Sequence, residues 1–215
     1  MLDSNGFDLW ADDYDKSVEI SDTNDKYPFA GYKKLMNDVY SMVMKKCPVR
    51  VLDIGVGTGT LAYKLHEAGN NVIGVDFSGE MLNQARAKMP DSLLYQYDFT
   101  QGLPSELNNE KFDFIISTYA LHHLDDTKKT GFIQSLFGYL KENGTIIIGD
   151  ISFQTRNDLA HCKIVYADEW DENEFYFVFS ELEEYLSGKC VLSYRQYSHC
   201  SGILIINTVC PKKGF

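Results

Sequence analysis

Cationic side chains are in short supply in this chain. Lys and Arg total 20 against 31 Asp and Glu, a formal charge of −11 over 215 residues. Phosphate contacts dominate nucleic-acid affinity, so this deficit disfavours a nucleic-acid partner. Cysteine is sparse as well. Cys47, Cys162, Cys190, Cys200 and Cys210 are odd in number, widely spread and form no C-x-x-C pair. That pattern gives no support to zinc or thioredoxin-type chemistry, and reduced thiols in a cytoplasmic protein are expected. No apolar run approaches the roughly 20 residues of a membrane span. The stretch MLDSNGFDLWADD is acidic and lacks an apolar core, so no signal peptide is expected. Internal repeats and low-complexity linkers are also missing.

What remains is an ordinary globular balance, 44% hydrophobic and 24% charged, in a chain long enough to bury a core without disulfide staples. Short apolar runs alternate with helical patterns, the signature of stacked βαβ units. Strands are predicted over residues 49–54, 71–75, 93–97, 112–117 and 145–149, several of them Ile- and Val-rich on successive positions, as strands covered on both faces must be. Helices are predicted over 60–68, ending at Gly69, and over 78–89, with Ser78 as cap and Met81, Leu82, Ala85 and Met89 as its stripe. A third covers 130–141, with Phe132, Leu136 and Leu140 before a stop at Asn143-Gly144. Upstream, residues 28–46 read as an amphipathic helix with Phe29, Tyr32, Met36, Val39 and Val43 inward and Pro28 in its first turn. Downstream, Ser180 and Glu183 suggest a capping box ahead of a short helix. Strand-like segments at 190–197 and 202–208 follow, an ending that places an antiparallel strand within the sheet.

The chemistry is most readable where Val51-Leu52-Asp53-Ile54 runs into Gly55-Val56-Gly57-Thr58-Gly59-Thr60. Glycines in a strand-to-helix turn allow a ligand to approach the backbone closely. Dinucleotide enzymes use such a turn too, but here Thr60 stands where the third glycine of G-x-G-x-x-G would fall. Asp53, just ahead of the turn, would repel a pyrophosphate and favour a ligand bearing ammonium and sulfonium charges. Asp76 closes the second strand, where an acid is placed to accept from ribose hydroxyls, with Phe77 beside it to flank a base. Asp98 closes the third, in position to accept from an adenine amino group. Three acids at three successive strand ends suit a nucleoside ligand without phosphates.

VLDIGVGTGTL, GVDFS, YDF, FDFIIS with TYALHHL, and ENGTIII together resemble the motif series of class I S-adenosylmethionine-dependent methyltransferases. The resemblance covers residues 49–149. It implies a Rossmann-like, doubly wound α/β sheet of seven strands, mostly parallel with the last antiparallel. It also implies that Gly55 and Gly57 approach the methionine part of the donor, Asp76 the ribose, Asp98 with Phe99 the adenine, and Ser117 the methionine amino group. Met81, on the helix after Asp76, completes the expected donor set. The segments Asp8-x-Trp10-Ala11-x-x-Tyr14-Asp15 and Phe29-Ala30-Gly31-Tyr32 are similar to the YrrT-like branch, and in related small-molecule enzymes the Tyr-Asp segment is a lid, which makes Tyr14 a donor contact. Residues 1–48 are accordingly expected to form a helical cap, and residues 49–215 the methyltransferase core of one structural domain.

Two further groups bear on the methyl acceptor. His122-His123 follows the fourth strand at the rim where substrates enter; His122 is the candidate catalytic residue, positioning the nucleophile or taking its proton, against a packing role. Residues 166–179 combine Tyr166, Trp170, Phe175, Tyr176, Phe177 and Phe179 with Asp168, Glu169, Asp171, Glu172 and Glu174. They read either as a cover favouring a neutral or cationic small molecule or as a solvated loop. His66, His161 and His199 have no spacing that suggests metal ligands, and no metal is expected. The functional expectation is methyl transfer from S-adenosylmethionine to a small molecule. A non-catalytic donor- or partner-binding module and a nicotinamide-dependent oxidoreductase are the alternatives.

Overall fold

The computed structural model describes residues 26–208. These residues contain eight strands: β1 (Arg50–Ile54), β2 (Asn71–Asp76), β3 (Leu93–Gln96), β4 (Phe112–Thr118), β5 (Leu140–Phe153), β6 (Phe177–Val178), β7 (Cys190–Gln196) and β8 (Ser201–Thr208). Six α-helices among the described residues interleave with them: α1 (Tyr32–Met44), α2 (Thr60–Glu67), α3 (Gly79–Lys88), α4 (Asp126–Leu136), α5 (Arg156–Val165) and α6 (Phe179–Tyr185). The sheet order is β3-β2-β1-β4-β5-β8-β7, with β8 antiparallel to both neighbours. This is the expected doubly wound sheet with its last strand reversed. It has eight strands rather than seven because two-residue β6 pairs with the end of β5 at Ser152 and Phe153.

Alternate residues of each strand point to opposite faces, and the core divides accordingly. Val51, Ile116 and Ile147 face α1, α2, α3 and α5, whereas Leu52, Ile115 and Ile148 face α4 and α6. Each fully buried aliphatic side chain contributes about 1.5–3 kcal/mol, so the two clusters dominate the stability of the sheet. The strand order reverses between β1 and β4, and the carboxyl ends of these strands border an open crevice, where ligands of such sheets bind. No helix among the described residues is long and apolar enough to cross a membrane.

Several local expectations need correction. Helix α1 starts at Tyr32, after Pro28, and buries Leu35, Val39 and Val43. Tyr32 and Met36 lie one step round the helix, and with Phe29 in the turn before it they line the crevice instead. Helix α4 begins at Asp126, because Asp125 caps it through Lys128 N at 2.8 Å, and Leu140 already belongs to β5. Asn143-Gly144 is thus an irregularity inside β5, with Asn143 at φ 61, and not a helix stop. Helix α5 is additional; its signal was the Thr155-x-x-Asp158 capping box. Ser180 caps nothing, since α6 begins at Phe179. Strand β5 also runs four residues beyond the predicted end at Gly149, to Phe153, and so brings Asp150 to the site.

Candidate active site

The glycine turn after β1 is shaped by need. Gly55 and Gly57 take φ of 74° and 54°, left-handed values that side chains disfavour. A β-carbon on Gly55 would overlap that of Ala120, whereas one on Gly57 would meet nothing within 4 Å. The first glycine therefore serves packing and the second borders open space. Asp76 braces the turn: its Oδ2 accepts from Gly57 N–H at 2.8 Å and its Oδ1 from Ser78 N–H at 2.9 Å. Ser78 in turn caps α3, its Oγ accepting from Met81 N–H at 3.1 Å, as the sequence suggested.

These elements wall one side of a cavity of about 550 Å³. Asp53, Gly55, Gly57, Asp76, Phe77, Met81 and Phe99 all line it. Asp53 is buried, and its Oδ1 has no hydrogen-bond partner among the described residues. Burial, with the charge of Asp76 adding to it, pushes its carboxyl up to about 7. A buried carboxylate oxygen without a donor is costly unless a ligand supplies one. An orphaned acid beside an open glycine turn therefore fits a ligand ending in an ammonium group.

Two residues expected in this set do not reach the cavity wall. Asp98 is exposed and caps a short 3₁₀ turn through Thr100 N–H at 2.9 Å. Ser117 is buried in the sheet, its hydroxyl donating to the Ile54 carbonyl at 2.7 Å. Tyr14 and Trp10 lie outside the described residues. Tyr119, missed by the sequence reading, lines the cavity at φ 51, a strained value for a non-glycine residue at the end of β4.

The opposite wall is assembled from distant positions. Tyr27 stacks on Trp170 and Tyr166 with ring centroids 5.4 and 5.5 Å apart, and its hydroxyl bonds that of Tyr176. Tyr176 Oη also donates to Glu174 Oε2 at 2.7 Å. The cover cluster thus divides: Tyr166, Trp170 and Tyr176 pack near the cavity, whereas Phe177 joins the core under the other sheet face and Phe179 stacks on Tyr194.

His122 is 5% exposed, and its Nδ1–H donates to Asp150 Oδ1 at 2.6 Å. Asp150 is itself fully buried and also accepts from Leu121 N–H and Ile151 N–H at 3.2 and 2.8 Å. His122 Nε2 lies 3.6 Å from Glu174 Oε1. Burial alone would depress the His122 pKa, but the charge and hydrogen bond of Asp150, with Glu174 behind, raise it. His123 is pushed down to about 2 by burial and by its histidine neighbour. The 166–178 cover is anchored here by Phe175, whose N–H donates to His122 O at 2.8 Å and whose carbonyl accepts from Lys129 Nζ. Lys129 is 2% exposed, and its ammonium also sits 4.4 Å from the centre of the Phe177 ring. Asp150 was missed in the sequence, although an acid at a strand end was the signal that singled out Asp53, Asp76 and Asp98.

Solved structures share this architecture and define its class. The magnesium protoporphyrin IX methyltransferase ChlM from Synechocystis PCC 6803 with bound SAH superposes with a TM-score of 0.68 at 19% identity, covering 84% of this chain and 85% of that one. DesVI of Streptomyces venezuelae gives 0.68 at 18%, covering 93% and 98%. The fold is that of the class I methyltransferases. A methyltransferase-domain family model matches residues 51–144. An uncharacterized methyltransferase of Geobacillus sp. strain WCH70 is 40% identical over 151 residues, 70% of this chain and 68% of the relative. The chain belongs to the methyltransferase family, whose methyl donor is S-adenosylmethionine.

Proposed function

We propose that the cavity binds S-adenosylmethionine along the Asp53–Gly57 turn, Asp76, Phe77, Met81 and Phe99, and that the methyl group passes to a small, neutral or cationic acceptor between His122 and the 166–178 cover. The observation that carries this reading is the buried, unpartnered Oδ1 of Asp53 on the cavity wall beside the glycine turn. The donor supplies a methyl group already activated on sulfonium, so the protein's task is to hold, orient and exclude water. Asp53 would meet the donor's ammonium, and the remaining lone pairs of Asp76 its ribose hydroxyls. Orientation of this kind supplies on the order of 7–11 kcal/mol of a barrier.

On the acceptor side Glu169, Asp171 and Glu174 line the cavity, and no lysine or arginine among the described residues does. An anionic acceptor would find three carboxylates and no lysine or arginine to pair with, which supports a neutral or cationic one. The name of ChlM is that of an enzyme acting on a small molecule, and supports an acceptor of that size. Tyr27, Phe29 and Tyr32 also line the cavity, in keeping with residues 1–48 as its cap. His122, fixed by Asp150, presents Nε2 to the acceptor as its positioning or proton-accepting group.

Calorimetric titration with S-adenosylmethionine, S-adenosylhomocysteine and NADH tests the donor assignment. Binding of the two sulfur ligands alone is expected, weakened strongly in Asp76→Ala; binding of NADH alone would refute it. An acceptor screen of amines, phenols and carboxylates, read by S-adenosylhomocysteine release, tests turnover. His122→Ala is expected to lower turnover on any active acceptor while donor affinity holds. Unchanged turnover would remove His122 from the reaction, and donor binding with no turnover across the screen would favour a non-catalytic module.

A further inference from the structure

Sequence spacing suggested no metal ligands, yet folding brings three donors together. His122, His123 and Glu174 each present a ligand atom within 4.8 Å of the other two, and all three residues line the cavity. The arrangement is fixed from behind. His122 Nδ1–H is committed to buried Asp150, which leaves Nε2 as the ring nitrogen with a free lone pair. That nitrogen faces Glu174 Oε1 at 3.6 Å, beyond hydrogen-bonding distance. Glu174 cannot easily turn away, because Tyr176 Oη holds its other oxygen and the two bonds of Phe175 fix the adjoining backbone. Two electron-rich atoms are thus held opposite each other, with a second imidazole alongside.

We propose that His122, His123 and Glu174 form a binding site for one divalent transition-metal ion, with Asp150 as the outer carboxylate that orients His122. Two imidazoles and a carboxylate suit Zn²⁺, Co²⁺, Ni²⁺ or Fe²⁺. Bonds of about 2.0–2.2 Å require neighbouring ligand atoms roughly 3.0–3.5 Å apart, close to the His122–Glu174 separation. A histidine whose other nitrogen is held by a carboxylate is the usual outer-shell support of such a site. Three protein ligands leave coordination positions open, and these are reached from the cavity, so an acceptor can bind through oxygen, nitrogen or sulfur. The site itself does not depend on the donor assignment; with the ion bound, His122 Nε2 is a ligand and positions the acceptor through the metal instead of taking its proton.

The test is titration of the chelator-treated full chain with Co²⁺, followed by its visible spectrum and by calorimetry, with Zn²⁺ as competitor. One equivalent is expected, with a nitrogen- and oxygen-ligand spectrum and displacement by Zn²⁺. Affinity is expected to fall about tenfold or more in Glu174→Gln and in His123→Ala, and about 10–100-fold in Asp150→Asn. S-adenosylhomocysteine titration of each variant shows whether it is folded, and on the wild type it separates failure of the metal site from failure of the donor assignment. Should a variant not fold, the wild-type spectrum decides: a thiolate charge-transfer band places the ion on cysteine and overturns the proposal. So does the absence of saturable binding, or binding that all three substitutions leave unchanged.

Discussion

The proposed donor wall of the cavity draws its residues in chain order from positions 53–99, whereas the proposed acceptor wall gathers Tyr27, His122 and Glu174 from across the chain, with Asp150 and Trp170 packed behind them. The bond that braces the donor turn, Gly57 to Asp76, spans 19 positions; that between Tyr27 and Tyr176 on the acceptor side spans 149. Short spans leave a local trace, such as glycines at a fixed interval and an acid at a strand end. Long spans leave none, because neither partner's neighbours record the other. The same contrast applies to change. The proposed donor wall is braced by short-range bonds at Asp76 and Ser78, while the proposed acceptor wall hangs on a few side-chain anchors that can be removed one at a time.

Gly55→Ala tests that rigidity most severely. Left-handed φ and overlap with Ala120 combine, and a loss of about 2–4 kcal/mol in unfolding free energy is expected by urea denaturation, with donor binding impaired. Asp76→Ala removes both the brace of the turn and the proposed ribose acceptor; donor affinity should fall about 100-fold by calorimetry. If Asp76→Ala instead binds normally, the brace is dispensable and the contrast with the acceptor wall weakens.

Donor binding should also depend on pH through Asp53. With its carboxyl near 7, protonation at lower pH removes the charge that pairs with ammonium, so affinity should fall about tenfold from pH 8 to pH 6. The unliganded protein should respond in the opposite sense. A raised carboxyl contributes stability below its unfolded value and loses it as pH climbs through about 7. Asp53→Asn should therefore flatten the binding profile and stabilise the unliganded protein at pH 8, measured by titration and by thermal melting. A pH-independent wild type would show that Asp53 does not meet the ammonium.

On the acceptor wall, Lys129→Met keeps much of the buried volume but releases the Phe175 carbonyl. Hydrogen exchange at Phe175 should quicken about tenfold while donor affinity is unchanged, a separation of the two walls that no donor-side substitution allows. Among capping residues, Ser78→Ala should cost about 1 kcal/mol, whereas Ser180→Ala should cost under about 0.5, since only Ser78 caps a helix.

How far the sequence could be read follows the same division. The βαβ order and the glycine turn were available from patterns a few residues wide, and so was the Ser78 cap, but the packing of Gly55 against Ala120 was not. Helix α4 was misplaced because the capping signal of Asp125 was passed over for an Asn-Gly pair that β5 absorbs as a bulge. Strand β5 was cut short because the apolar run stops at Gly149, although pairing with β8 carries the strand on through Asp150 and Ile151. Asp98 was assigned by its strand-end position and Ser117 by the family resemblance, but hydrogen bonds to Thr100 N–H and the Ile54 carbonyl, invisible in the chain order, engage both, and neither lines the cavity.

Local chemistry in the chain thus fixed the sheet's alternation, the strand-end acids and the donor turn, because each depends on neighbours within a turn or a strand. The clamp of Phe175 between His122 and Lys129, the burial of Asp150 beneath an imidazole and the approach of Glu174 to two histidines arise only when β4, β5 and the 166–178 segment converge. Those contacts are side-chain geometry across long loops, and no periodicity in the chain encodes a distance of that kind.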